Sequence, residues 1–309
     1  MSEPLVSIIM RSYNEAWALV ETLPALRAQG LREWELIVID SGSTDGSQAL
    51  IAAAEPAHFI QIQSHEYNPS RVMNHGMSLA RAPFCVFINA DATPVGSDWL
   101  APLYEALQAE QVAAVFGRQV PRPDCCAVFA NDYERCFGPQ RESRHWEHFF
   151  SMVSSGLRKD VWSKRPFRED LQYAEDDDYT RWCRSAGYEV RYVPQSVAMH
   201  SHNYTPAQAY KRAFGDARAL GQIWQGSASR YGWVKTVLLG TLSDVRHDLG
   251  FCAGQRRLAE LPHAALVRWM QRRGRLAGFL AGYAMQRAGL AAGQVTALAS
   301  SSISLSPTS

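Results

Sequence analysis

The first hundred residues alternate short apolar, β-branched runs with longer amphipathic stretches, the pattern of βαβ units that build a parallel sheet. VSIIM at 6–10, ELIVID at 35–40, HFIQIQ at 58–63 and FCVFIN at 84–89 read as strands. Helices are predicted between them over 15–29, from the SGSTDGS turn at 41–47 through Ala54, and over 71–81. The strands are apolar on both faces, as a sheet covered by helices on each side requires. An α/β fold follows.

Past this repeat the rhythm changes. The spacing predicts a helix over 98–107 and a strand, VAAVFGRQV, at 112–120, whereas 121–150 mixes Pro, Gly, aromatics and charges without a period and reads as loops and short helices. Order returns at 154–162, then in an acidic helix over 174–187, a strand at 188–193 and a histidine segment, MHSHNY, at 199–204. Beyond Pro206 the chain turns helical and basic as far as Gln286, and its Ser-rich end is expected to fray. The expected organisation is a domain over 1–205, a basic helical extension over 206–290 and a flexible tail over 291–309.

Charge sharpens that division. A net charge of +1 conceals 13 basic residues against four acids after Thr205, a surplus of +9, while the remainder carries 18 against 26, or −8. An acidic body suits a metal or substrate site, and a basic tail suits an anionic partner, unless it is simply an Arg-rich solvated surface. The basic positions are scattered among Leu, Ala and Gly with no nucleic-acid reading motif, so nucleic acid is not the expected partner. At 309 residues and 47% hydrophobic content, disorder, a fibrous repeat and a disulfide-stapled miniprotein are excluded. The six cysteines form no CxxC pair, which predicts a reducing compartment. No export signal or apolar window of 18 residues is visible, so the expected location is cytoplasmic.

Ligands of open parallel sheets sit at the carboxyl ends of the strands. Those ends are polar: Ser12, Tyr13 and Asn14 after the first strand, Asp40, Ser41 and Gly42 after the second, Asn89, Ala90 and Asp91 after the fourth. Together they suggest a nucleotide pocket, although each residue type also caps helices and turns. Asp91 follows an apolar strand, where a carboxylate can hold Mg²⁺ or Mn²⁺ under a diphosphate; the alternative is an Asp that starts a turn. Glu175, Asp176, Asp177 and Asp178 are four acids at a helix start, more than capping needs. Repulsion among them, with partial burial, is expected to raise at least one pKa and favour general-base work; the alternative is an over-capped surface helix. His200 and His202, two apart in extended chain, face one side, where one could complete a metal site with Asp91; a satisfied histidine is the commoner fate.

In this order along the chain, these segments resemble the family 2 glycosyltransferases, inverting enzymes of the GT-A fold. VSIIMRSYNE resembles the opening strand and turn, with Glu15 closing it, and VIDSGSTDGS the second strand end. YNPSRVMNHGMSLARAPFCVFINADATP, with Arg71 and Asn74, resembles the stretch into the DxD motif, and the segment from SSGLRKDVW to MHSH the acceptor half. The resemblance covers roughly residues 5–205 and implies a GT-A fold: a doubly wound, mostly parallel sheet with a C-terminal helical extension.

Carried over by position, it implies that Asp40 holds the base or ribose with Ser12 and Asn14 nearby, and that Arg71 contacts phosphate. Asp91 would hold the metal, with His200, or its rival His202, completing the shell; Asp176 would be the base and Glu175 would orient the acceptor. Three departures stand out: Asn89 in place of the first DxD acid, Ser41 in place of a second Asp, and Trp182 in place of a frequent Arg, with Arg181 and Arg184 as substitutes. The Asn-x-Asp-Ala form and the ending HSHNYT are similar to bacterial rhamnosyltransferases, implying a dTDP-rhamnose donor and a glycan or lipid-linked acceptor. The basic helices would then rest on the anionic inner leaflet. The rival readings are a sugar nucleotidyltransferase, against which no Gly-rich basic nucleotide loop is seen, and a nucleotide-sugar-binding relative without turnover.

Overall fold

The computed structural model describes residues 3–146, 148–223 and 232–289. The predicted tail over 291–309 lies outside the described residues. Two compact units emerge, one from residues 1–168 and 175–203, the other from 169–174 and 204–309.

The first unit opens with β1 (Val6–Ser12), α1 (Ala16–Arg27), β2 (Trp34–Asp40), α2 (Ser47–Ala53), β3 (His58–Gln61), α3 (Pro69–Leu79) and β4 (Phe84–Asn89). It continues with β5 (Thr93–Pro94), α4 (Leu100–Leu107), β6 (Val112–Val120), α5 (Ala127–Phe137), β7 (Ser154–Arg158), α6 (Lys159–Trp162), α7 (Glu175–Ser185) and β8 (Glu189–Met199). The eight strands form one sheet in the order β3-β2-β1-β4-β7-β6-β8-β5. The first four are parallel, β6 and β8 are parallel, and β7 and β5 run against their neighbours.

Strand alternation explains the two cores. Val6, Ile8 and Met10 face Leu19, Leu26 and Trp99 on one side, while Ile9, Ile37 and Phe87 face Met73, Met77 and Tyr179 on the other. Asn68 caps α3 by accepting from Arg71 N at 2.9 Å, and Pro69 occupies the first turn, where its missing N–H costs nothing.

Two elements depart from the sequence pattern. The aperiodic stretch at 121–150 contains an eleven-residue helix, α5, whose residues Ala127 through Asn131 are all buried. Strand β8 does not end at Val193: pairing with β6 passes from Gly117/Val193 to Arg118/Val197 through a bulge that absorbs Pro194. Gly117 admits the bulge, since a Cβ there would lie 2.7 Å from Ser196 O. Pairing then resumes to Val120/Met199.

The second unit is helical, with α8 (Pro206–Ile223), a π-helical stretch Val234–Leu239, α9 (Gly240–Gly254) and α10 (Leu261–Arg287). Helices α8 and α10 run side by side over a glycine spine: a Cβ at Gly274 would lie 2.5 Å from Tyr210 O, and Gly278 and Gly282 press on Phe214 and Arg218 backbone. No helix among the described residues is long and apolar enough to cross a membrane.

Candidate active site

The loops after β1 and β2 are stitched into one floor. Asn14, in the left-handed region at φ 54°, donates its N–H to Ser43 Oγ at 2.8 Å and accepts from Thr44 N through Oδ1 at 2.8 Å. Glu15 N donates to Ser47 Oγ, and Ser41 N to Ser12 O, both at 2.9 Å. Asp40 is fully buried and accepts from Gly42 N, Ser43 N, Ser43 Oγ and Gln48 Nε2 at 2.5–3.1 Å. Its carboxylate therefore organises the turn that presents the loop. Ser12 Oγ and Glu15 Oε2 are buried without a hydrogen-bond partner, and Tyr13 is half exposed beside them in sequence.

The second feature is a cluster of Asp91, His200 and His202. The short β5 follows Asp91 and pairs Thr93 with Met199, and His200 N continues the β6 ladder by donating to Val120 O at 2.9 Å. The β8 bulge sets that register, so distant segments meet. Asp91 Oδ2 lies 3.5 Å from Nε2 of each histidine, and the two Nε2 atoms are 3.1 Å apart. The structure brings in both histidines, so they are partners in the cluster instead of rivals.

The surroundings dictate the tautomer of His200. Gln119 donates Nε2 to Ser151 Oγ at 2.7 Å, which turns its Oε1 toward His200 Nδ1 at 3.1 Å, with Tyr133 Oη at 2.8 Å. Gln119 Oε1 can only accept, which favours a proton on Nδ1 and, in the neutral ring, leaves the Nε2 lone pair facing Asp91 and His202. Lone-pair atoms converge there unless a proton or a cation sits between them. Asp91 Oδ1 is buried and accepts no hydrogen bond. Ligands about 2.1 Å from one divalent ion stand about 3.0–3.4 Å apart, close to the observed spacings, so the residues fit a metal. Burial pushes the Asp91 carboxyl up, but the hydrogen bond and positive charge of a protonated His200, and then the charge of a protonated His202, outweigh it and hold it below its usual value. Glu15 is pushed up to about 8, by burial first and then by the charge of Asp91.

The third feature is the head of α7, preceded by Ala174 in the left-handed region at φ 58°. The quartet divides. Asp177 pairs with Arg181 one turn on, and Asp178 with Arg165 at 2.7 Å and Arg168 at 3.5 Å. Glu175, buried, lies 4.0 Å from Arg11 Nη1 at the end of β1, and Asp176 adds to the field at the same guanidinium. Arg11 also donates to Asn89 Oδ1 at 2.8 Å. Burial disfavours its charge, yet Tyr67, Glu175, Asp176 and Glu15 together raise its pKa above the ordinary value. Arg11 links the ends of β1 and β4 to the acidic helix, and the sequence signal for it was a lone cation beside an apolar run.

A family description, Glycosyl transferase family 2, matches residues 7–183, more than half of the chain. The chain belongs to the family 2 glycosyltransferases. It is 29% identical over 220 residues to the O-antigen chain rhamnosyltransferase RfbN of Salmonella typhimurium, covering 68% of this chain and 70% of the relative. It is 29% identical over 223 residues to the O-antigen chain rhamnosyltransferase WbaN of Salmonella anatum, with the same coverage. Among solved structures it is similar to the mannosyltransferase PcManGT from Pyrobaculum calidifontis in complex with GDP-Man and Mn²⁺, at TM-score 0.58, 20% identity and 93% and 88% coverage. It is also similar to S. aureus TarS 1–349 in complex with UDP, at TM-score 0.51, 14% identity and 92% and 91% coverage. These likenesses establish the GT-A fold, and the family placement establishes a glycosyltransferase.

Within this glycosyltransferase the remaining expected residues have distinct places. Ala90 is buried and anchored by its N–H to Arg11 O at 3.0 Å, and Ser41 is buried in the second loop. Arg71 is exposed on α3. Asn74 accepts from Phe167 N and Trp162 Nε1 and donates to Phe167 O at 2.9–3.0 Å, which tethers that segment to α3. Of the two substitutes for the missing Arg on α7, Arg181 is taken up by Asp177, and Arg184 reaches Phe149 O at 3.4 Å. Arg122, not singled out in the sequence, donates to Asp91 O at 3.0 Å and Thr93 Oγ1 at 3.1 Å while lying over the Trp17 ring at 4.7 Å. Its proximity to Asp91 comes from the β5–β8 pairing, which no local pattern announces.

Proposed function

We propose that the enzyme transfers rhamnose from dTDP-rhamnose to a hydroxyl of a lipid-linked glycan in bacterial surface polysaccharide synthesis. The observation that carries the reading is the convergence of Asp91, His200 and His202 in one cluster, together with Arg11 joining Asn89 to Glu175 at the acidic helix. The O-antigen rhamnosyltransferases named above support the sugar and the setting. Mg²⁺ or Mn²⁺ held by Asp91, His200 and His202 would offset the charge on the departing diphosphate.

In this reading the loops carrying Ser12 to Glu15 and Asp40 to Ser41 cradle the nucleoside, and Arg11 and Arg71 face the anionic part of the donor. Asp176 takes the proton of the acceptor hydroxyl while Glu175 orients it. The acceptor oxygen bonds the anomeric carbon from the face opposite the nucleotide as the carbon–oxygen bond to the diphosphate breaks, and the diphosphate leaves with the electron pair. The configuration inverts. Aligning the two substrates supplies much of the acceleration. A lipid-linked acceptor places the enzyme on the cytoplasmic face of the inner membrane, met by the basic helices.

The test is titration of the purified protein with dTDP-rhamnose and UDP and GDP sugars, with and without Mn²⁺, followed by thermal unfolding. Metal-dependent stabilisation by dTDP-rhamnose alone is the expected result. Stabilisation by a different nucleotide would replace the donor, and no response to any of them would overturn the reading.

A further inference from the structure

Helix α9 is built inside out. Its inward face carries Asp244 and Asp248, both buried, each gripped by two nitrogens of an α10 arginine: Asp244 by Arg272 at 2.6 Å and Asp248 by Arg268 at 2.8 Å. Its outward face carries Leu242, 66% exposed, and Leu249, 46% exposed, seven residues apart and so on one side. The π-helical stretch before it adds Val234 at 59% and Leu239 at 57%, led by Trp233 at 51%. A helix on the surface of a water-soluble unit has the opposite arrangement, charges outward and leucines inward.

The charge around this face is one-sided. Each of the four acids after Thr205 is held by an arginine of the same unit: Asp216 by Arg212, Asp244 by Arg272, Asp248 by Arg268 and Glu260 by Arg257. These acids are thus turned to the unit's own arginines. Lys235, Arg246 and Arg256 are exposed along the same segment. Arg246, four residues after Leu242, can lay its stem along the leucines and keep its head in water.

We infer that this outward face, from Trp233 to Leu249, lies in the plane of an anionic lipid surface, its leucines and tryptophan at the acyl boundary and its cations among headgroup phosphates. Unpaired cations framing an apolar stripe on a helix too polar to span match that solvent. A symmetric second copy would set two basic rims against each other. The inference rests on the proposed function for its setting, a lipid-linked acceptor, while the surface itself stands on the geometry of α9 and α10.

The experiment is co-sedimentation of the full-length protein with phosphatidylcholine vesicles, with and without phosphatidylglycerol. Binding to the anionic vesicles, weakened by salt, is expected. Combined Leu239→Gln, Leu242→Gln and Leu249→Gln should weaken it by roughly tenfold or more, since three exposed leucines no longer enter the acyl boundary. Leu266→Gln with Leu280→Gln, exposed leucines of α10, should leave it unchanged. A second variant, Lys235→Gln, Arg246→Gln and Arg256→Gln, should remove the preference for phosphatidylglycerol while leaving the fold intact by circular dichroism. Equal binding by wild type and the leucine variant, or no binding by wild type, overturns the inference. So does a wild-type dimer that the leucine variant converts to monomer without any vesicle binding, which would assign the face to a second copy. Donor titration on the same samples separates the two ideas: vesicle binding without a donor response keeps this inference and sinks the donor assignment, and the reverse does the opposite.

Discussion

Asp91 and Asp248 are two buried aspartates, at 2% and 0% exposure, with opposite fates. Asp248 receives two nitrogens of Arg268 at 2.8 Å, one on each oxygen. Asp91 has one buried oxygen with no hydrogen bond, and its other oxygen faces two imidazoles at 3.5 Å. A buried charge closed by its partner belongs to the architecture, whereas one left open in a polar pocket is held ready for something that is not part of the chain. The acidic helix divides too: Asp177 and Asp178 pair with arginines of their own segment, whereas Glu175 stands 4.0 Å from Arg11 on β1 and Asp176 accepts from Asp177 N at 2.9 Å.

The largest expected effect is on turnover. Asp176→Asn should lower transfer by roughly 10²–10⁴-fold, the range for a general base, while donor affinity stays unchanged in calorimetry. Substantial activity in that variant would remove Asp176 from the role. Asp91→Asn should abolish metal-dependent donor stabilisation with little loss of stability. Arg268→Ala should do the reverse, costing about 3–5 kcal/mol in chemical denaturation by taking the bidentate arginine from a buried carboxylate, with the donor site unaltered. If Asp248→Leu with Arg268→Met unfolds as readily as Arg268→Ala, the ion pair is more than a closed charge and the contrast fails.

A smaller effect is expected one layer out. Gln119→Ala frees the His200 ring to turn, and Mn²⁺ affinity should fall about 10–100-fold by calorimetry; unchanged affinity would show that Gln119 does not hold the tautomer. The smallest concerns Glu15. Its folded pKa, about 8, lies above the unfolded value of 4.5, so the folded state binds the extra proton. Its stabilising contribution is complete below pH 4.5 and is lost as pH rises toward 8. In metal-free buffer, stability should decline across that window with a slope no steeper than about 1.4 kcal/mol per pH unit, the limit for one group. Glu15→Gln should flatten the decline, and an identical profile in the variant would show that another group titrates.

Much of the sheet was legible because each strand from β1 to β4 is a short, mostly apolar run bounded by turn residues, a local signal. The polar strand ends were legible for the same reason, since Asp40 closes its run and Asn14 and Asp91 stand two residues past theirs. Arg11 was missed because the predicted strand stopped at Met10, one residue short of the cation inside β1. The bounds of α5 were not legible within the stretch read as loops and short helices, and the end of β8 was hidden by Pro194, which reads as a stop until Gly117 on the neighbouring strand makes room for the bulge.

Alternation and order along the chain sufficed for the α/β class, the run of polar loops and the family resemblance, because those properties depend on neighbours a few residues apart. Only the tertiary structure decided that both histidines join Asp91, that Asp40 and Asn74 spend their hydrogen bonds on their own scaffolds, and that α9 turns its acids in and its leucines out. Each depends on which partner a side chain meets across a strand register or a helix pair. A lone Asp reads the same in sequence whether an arginine closes it or a pocket leaves it open.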